Sequence, residues 1–271
     1  MGEILSMLRI EWLKIKYYRT FWLLLAVITV SIPAFNYMVY DFTTNNIPKF
    51  NGQSILGNPF SFPGVWKMVP YNAGLITFMP AIMIITLFTN EYSYRTHRQN
   101  IIDGWSRSGF ITIKIIEVFL LSLFVTLLVL LTCLYFGFLT LTYPQSFAVE
   151  WEQFRFIFYF FVEMLDYLLI AALIATLIKR AGLAMGLFFL YMFVEQLVVA
   201  IGRNKYKKDW VNYLPQEVSD RLIPNPLGGK GLPHDSLDHW EKLVPVYLSV
   251  AIAYIIIYIY IISWRFRKAE L

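Results

Sequence analysis

Long apolar runs separated by short polar ones set the pattern of this chain. YNAGLITFMPAIMIITLFT is followed by NEYSYRTHRQNIIDGWSRSGF and then by ITIKIIEVFLLSLFVTLLVLLTCLYFGFL. Six stretches come near or above the ~20 residues a helix needs to cross a hydrocarbon core: roughly 21–40, 71–90, 111–139, 154–178, 182–202 and 243–263. Their backbones are predicted helical, because lipid offers no partner to an open strand. The expected fold is all-α, with six transmembrane helices in one transmembrane domain over 1–271. Residues 1–20 precede the first span. There Ile4, Leu5, Leu8, Trp12 and Ile15 recur at three- and four-residue steps, which predicts an interfacial helix, with Arg9 and Lys16 beside that face to reach lipid headgroups. The long charged lead-in and the full-length span behind it do not read as a cleavable signal peptide.

The connecting segments differ in kind. Residues 41–70 hold Pro48, Pro59, Pro63 and Pro70 and predict an irregular loop. Residues 203–242 are unusually apolar for a loop, with Trp210, Tyr213, Leu214, Leu222, Ile223, Leu227 and Leu232. They are expected to re-enter the membrane or pack on the face of the bundle.

Composition agrees with the pattern. The chain is 58% hydrophobic and only 15% charged, with a mean hydropathy of +0.56, which excludes an ordinary soluble domain of this length. A formal net charge of +5 invites a nucleic-acid reading. The basic residues lie beside the spans, however, where they set topology, so no nucleic-acid partner is expected. Arg9, Lys14, Lys16 and Arg19 share a side with Arg95, Arg98, Arg107 and Lys114, with Lys179 and Arg180, and with Arg265, Arg267 and Lys268. The bias places both termini and residues 91–110 in the cytoplasm of a plasma (inner) membrane protein, and 203–242 outside. The basic residues of 203–242 oppose that assignment, but long loops translocate with less regard to charge.

No set of residues announces catalysis. The phosphate-binding pattern G-x-x-x-x-G-K-[ST] is absent, as are H-E-x-x-H and G-x-S-x-G, so the chain is expected to be no enzyme. His234-Asp235 and Asp238-His239 lack the further ligand spacing of a metal site, and a solvated loop is the simpler reading. The acids within spans are more telling. Glu163 and Asp166 share one face of span four, and Glu195 lies in span five. They read either as a polar pathway lining or as structural acids, bonded to Tyr or Thr or paired with Arg155 or Arg203. Glu117 is expected to pair with Lys114 or with an arginine of the preceding loop. Gly182 and Gly186 form a small-xxx-small pair suited to close helix packing and a dimer seam.

The charged interruption at 90–110 is longer than a connection requires. Ile101, Ile102, Trp105 and Phe110 fit one side of a short helix on the membrane. Tyr94, Arg95, His97, Arg98 and Gln99 offer donors and rings to a cytoplasmic partner. A plain topology anchor is the alternative. The pattern Glu91, Thr96, Arg98, Ser106-Arg107 and Lys114 resembles the ABC-2 type transporter permeases, although the family's common glycine before the threonine is Arg95 here. The N-terminal interfacial helix, six spans and long last external loop are similar to that family too, so the likeness in layout covers nearly the whole chain. The resemblance implies an exporter-like bundle and a permease subunit paired with a second one, as homodimer or heterodimer. It also implies a separate ATPase subunit that carries the ATP and Mg, with no cofactor in this chain. Residues 91–110 would be the coupling segment that meets the ATPase, through Glu91, Tyr94, Arg95, Thr96, His97, Arg98, Gln99 and Arg107. Membrane lipid is the remaining partner. A non-transporting membrane scaffold for a cytoplasmic partner is the alternative from another class.

Overall fold

The computed structural model describes residues 2–45, 49–50, 53–54, 58–94, 106–140, 153–204, 209–226 and 237–268. In chain order these form α1 (Gly2–Lys16), α2 (Arg19–Asn45), β1 (Lys49–Phe50), β2 (Gln53–Ser54), α3 (Val65–Gly74), α4 (Phe78–Ser93), α5 (Arg107–Leu139), α6 (Arg155–Ile178), α7 (Ala181–Asn204), a 3-10 turn (Asp209–Tyr213), α8 (Pro215–Asp220) and α9 (Leu237–Lys268). The two short strands pair antiparallel, Lys49 opposite Ser54 and Phe50 opposite Gln53. Everything else of regular structure among the described residues is helix.

Five helices, α2, α5, α6, α7 and α9, are long and apolar enough to cross a membrane. The predicted span 71–90 takes another form. It is two helices, α3 and α4, bent by 48° across a break at 75–77. The break has a local cause. Pro80 has no N–H to give the carbonyl four residues back, so a helix running through 74–78 loses a bond there. The chain turns instead, with Leu75 N–H donating to Asn72 O at 3.3 Å and Thr77 Oγ1 donating to Gly74 O at 3.0 Å. The irregular loop expected over 41–70 is shorter than predicted. Helix α2 continues to Asn45 and α3 already begins at Val65, keeping Pro70 inside it.

Helix α6 is central and touches α3, α4, α5, α7, α8 and α9. Its most apolar window is 67% buried, against 17% for α2 and 22% for α7. The peripheral helices therefore present apolar side chains outward, among them Leu23 and Val30 on α2, Leu123 and Leu127 on α5, and Leu190 and Phe193 on α7. An all-helical bundle with a packed centre and an apolar exterior is built for lipid, and the chain reads as a multi-pass membrane protein.

Both ends of the bundle are sealed by rings. Tyr40, Phe60 and Phe136 meet at centroid distances of 5.2–5.5 Å at one end. At the other, Phe266 of α9 stacks on Tyr92 and meets Phe110 at 5.5 Å, while Lys179 lies over the Tyr92 ring. Lys179 takes φ 59 as the cap of α6, which lets α7 begin after a two-residue turn.

Helix α1 packs at this second end, turning toward the bundle a face other than the apolar one expected to lie on the membrane. Met7 and Glu11 are buried, whereas Ile10, Trp12 and Leu13 are exposed. The cause is polar, since Glu11 is drawn inward by a buried lysine. Met7 also sits where a side chain on Gly109 would be, at 3.1 Å from its added Cβ, so α1 approaches the start of α5 closely. Ser106 caps α5 by accepting from Gly109 N–H at 3.0 Å.

Candidate functional site

Two buried groups of ionisable residues stand out, one at each end of the bundle.

The first joins α1, α4 and α5. Lys114 Nζ lies 3.0 Å from Glu91 Oε1, 3.1 Å from Glu117 Oε1 and 3.3 Å from Glu11 Oε2. Lys14 Nζ lies 3.0 Å from Glu11 Oε1 and 3.6 Å from Glu91 Oε1. The Lys114 side chain is only 3% exposed. An ammonium so buried is tolerated because each of its three protons has a carboxylate acceptor. The predicted pairing of Glu117 with Lys114 is present. A cavity of about 160 Å³ opens beside the group, walled by Ile15, Tyr18, Leu87, Asn90 and Tyr94.

Glu91 is thus brought into a buried network at the foot of the proposed coupling segment, with Tyr94 exposed just beyond it. Arg95, Thr96, His97, Arg98 and Gln99 lie outside the described residues, as do Ile101, Ile102 and Trp105 of the predicted short helix, whose Phe110 is buried in the first turn of α5. Arg107 opens α5, and its side chain is likewise not described. His234 and Asp235, and the side chains of Asp238 and His239, also fall outside; among the described residues no cluster of three His, Cys, Asp or Glu could hold a metal.

The second group lies toward the opposite end, around residues 209–226 of the segment read as an apolar loop. Leu222 and Ile223, two of the apolar residues singled out in this segment, are buried together with Val211 and Val218, while Trp210 is exposed. Helix α8 is pinned by the spans around it. Glu195 Oε1 of α7 accepts from the backbone N–H of Gln216 at 2.6 Å and of Glu217 at 3.0 Å, supplying the acceptor that Leu214 cannot provide at the helix start. Ser219 Oγ donates to Asp166 Oδ2 at 2.8 Å, and Tyr167 Oη donates to Asp220 Oδ1 at 2.8 Å. Gln196 Nε2 donates to Asp220 Oδ2 at 3.3 Å. Burial pushes the Asp220 carboxyl up to about 7, against the opposing pull of the Tyr167 hydroxyl.

Glu163 is placed differently. Its Oε1 would stand 2.6 Å from a Cβ added at Gly74, so a larger residue at the end of α3, where the broken helix pair turns, would have to displace the Glu163 carboxyl. Glu163 is 4% exposed and makes no hydrogen bond with a described residue.

The three intramembrane acids predicted from sequence are therefore gathered on one side of α6. Their predicted arginine partners are not there. Arg155 pairs with Glu241 at 2.5 Å, and Arg203 pairs with Glu217, which also receives Arg221 Nε at 2.8 Å. Arg155 and Arg203 stay near half exposed and find acids where hydration persists. The sequence reading missed Gln216, Ser219 and Asp220, whose only signal is polar residues set among the apolar ones of a loop. It also missed Glu11, whose signal is an acid on the otherwise apolar and basic face of α1. Gly182 and Gly186 meet nothing within 4 Å, so among the described residues their face is open.

No protein-family model matches the chain, and no curated protein matches it significantly.

Proposed function

We propose that the chain is the permease subunit of an ATP-binding-cassette exporter of the ABC-2 type. In this reading the bent pair α3–α4 is the second of six spans, and both termini lie in the cytoplasm of the plasma (inner) membrane. Two permease subunits, identical or different, form the pathway, with the open Gly182–Gly186 face of α7 available to the second. ATP and Mg are bound and hydrolysed on a separate subunit.

One observation carries the reading. The residue that opens the coupling segment, Glu91, is tied through Lys114 to Glu11 of α1 and to Glu117 of α5. A push on 94–106 is then felt at once by the interfacial helix, the foot of the bent span and the start of the next. That is how a cytoplasmic motor would shift a bundle between two arrangements. The surface offered to the motor is Tyr94, Arg95, Thr96, His97, Arg98, Gln99 and Arg107.

The second reading, a membrane scaffold that moves nothing, draws on Glu195 and Asp220, which are fixed in hydrogen bonds. Purification of tagged protein from its native membrane in mild detergent separates the two. An ATPase with a phosphate-binding loop should accompany the chain, and Arg98→Glu should lose it or uncouple hydrolysis from transport while the bundle stays folded. Normal transport by that variant removes Arg98 from the coupling surface. A different soluble partner, or none after crosslinking, establishes the scaffold.

A further inference from the structure

The elbow between α1 and α2 carries a basic and aromatic outer face drawn from both helices. Arg9, Trp12 and Lys16 stand three and four positions apart on α1, and Arg19 and Trp22 three apart on α2, so each set forms one stripe. The two stripes meet. The Trp12 and Trp22 rings are edge to face at 6.3 Å, and Trp22 Nε1 donates to the Lys16 carbonyl at 2.9 Å. The turn between them is held by Tyr18 N–H, which donates to Ile15 O at 3.0 Å, and by Phe21 N–H, which donates to Tyr18 O at 3.1 Å. All five side chains are exposed, whereas Leu8 and Ile15, expected from the sequence to meet the membrane, are half-buried.

The charge on this face is of one sign. No carboxylate among the described residues lies within ion-pair distance of Arg9, Lys16 or Arg19. The one acid of α1 whose side chain is described, Glu11, is turned inward to Lys114 and buried. Glu91 and Glu117, at the same end, are buried with it. The face also runs into the apolar exterior of the bundle, since Leu23 and Val27 follow Trp22 and are exposed on α2.

We propose that this elbow docks anionic phospholipid, whose phosphate oxygens accept from Arg9, Lys16 and Arg19 while Trp12 and Trp22 sit at the boundary of headgroup and acyl chain. Indoles suit that depth, with an apolar body and one polar edge. Cations on an interfacial helix draw anionic headgroups. A soluble anion would use the cations and leave the two indoles and the apolar surface beside them without a role. A zwitterionic headgroup would bring its own ammonium against three cations. The docking goes beyond the transport reading and stands without it. It also reaches the buried group: lipid that holds α1 against α2 holds Glu11 at Lys114, so its binding should stabilise the fold.

The test uses the purified full chain in a neutral detergent. Its unfolding temperature is followed while phosphatidylglycerol, or phosphatidylcholine with the same acyl chains, is titrated in. Phosphatidylglycerol should stabilise the protein at the lower concentration, and its advantage should shrink as salt is raised. Lys16→Gln with Arg19→Gln should weaken phosphatidylglycerol about tenfold or more and leave phosphatidylcholine unchanged. Arg180→Gln with Arg265→Gln removes the same charge from other exposed positions and should leave the phosphatidylglycerol response intact. Arg9→Gln, away from the turn, gives the same comparison with a smaller loss if the first double variant unfolds early without lipid. Equal loss in the two double variants would make the attraction a matter of net charge and overturn the proposal. So would equal effects of the two lipids, no effect of phosphatidylglycerol, or its full effect reproduced by inorganic phosphate. A Lys16–Arg19 double variant that keeps its phosphatidylglycerol response overturns it as well, and if that variant sheds a soluble protein that accompanies the wild type, the face belongs to that protein. The presence of an ATPase, which decides the transport reading, does not enter this measurement.

Discussion

Lys114 and Asp166 are both buried side chains on membrane-spanning helices, and their surroundings are opposite. Around Lys114, cations and anions alternate: Lys114 and Lys14 stand among Glu11, Glu91 and Glu117 at 3.0–3.6 Å. Around Asp166, acids meet hydroxyls, amides and backbone N–H groups, and no ammonium or guanidinium is near. The first arrangement compensates most of its charge internally, so it can be static and hold three helices together. The second has no cation beside it, so burial pushes a carboxyl such as Asp220 toward its neutral form instead, and acids of this kind inside a membrane bundle are commonly functional. Burial alone does not distinguish the two; the sign of the neighbours does.

The largest effect should come from breaking the compensated group. Lys114→Met leaves three glutamates facing one another with only the half-exposed Lys14 between them. Removing one partner of a buried pair costs about 3–5 kcal/mol. The variant should lose most folded protein in detergent, as read by size-exclusion chromatography. Adding Glu91→Gln and Glu117→Gln to it should restore much of the loss, because the repulsion goes with the charges. A stable single variant would mean that the network is hydrated and holds nothing together.

The comparison also shows what could be read in advance. The spans were legible because apolar length is a property of contiguous residues, and α5, α6 and α7 fall within a few residues of their predicted limits. Span two was legible as a span but not as a bent pair, since a proline inside a helical pattern need not bend it: α3 carries Pro70 without a break, while the chain turns before Pro80. Glu163, Asp166 and Glu195 were visible as anomalies in apolar runs. The partners of Asp166 and Glu195 were not, because Ser219 and the backbone of Gln216 and Glu217 lie in a loop far along the chain, and only folding brings α8 beneath α6 and α7. The group around Lys114 was half visible: Lys114 and Glu117 are three apart on one helix, whereas Glu11 reaches Lys114 from 103 residues away.

A smaller effect should follow from weakening the pin on α8. Glu195→Gln keeps an oxygen to accept from Gln216 and Glu217 but removes the charge that favours a helix start. The expected loss is about 1–2 kcal/mol. It should be local: hydrogen exchange over 214–221 should speed up, while the N-terminal end of α5 keeps its protection. Equal deprotection at both ends would show that the two groups fold as one unit and that the contrast between them is not a functional one.

The smallest effect, and the one of opposite sign, is expected at Glu163. The side chain is 4% exposed and makes no hydrogen bond with a described residue. Glu163→Gln has nearly the same shape, so the close approach to Gly74 survives. It removes a carboxyl that no partner supports, and stability should stay level or rise by about 1 kcal/mol. The same change at Glu117, in the compensated group, should lower stability, because there the carboxylate accepts from Lys114 at 3.1 and 3.2 Å. Thermal unfolding of the two variants side by side therefore gives shifts of opposite sign. A matching loss in both would mean that Glu163 has a cationic partner in the membrane, supplied by a second subunit or by lipid, and the acids around α8 would then be structural like those around Lys114.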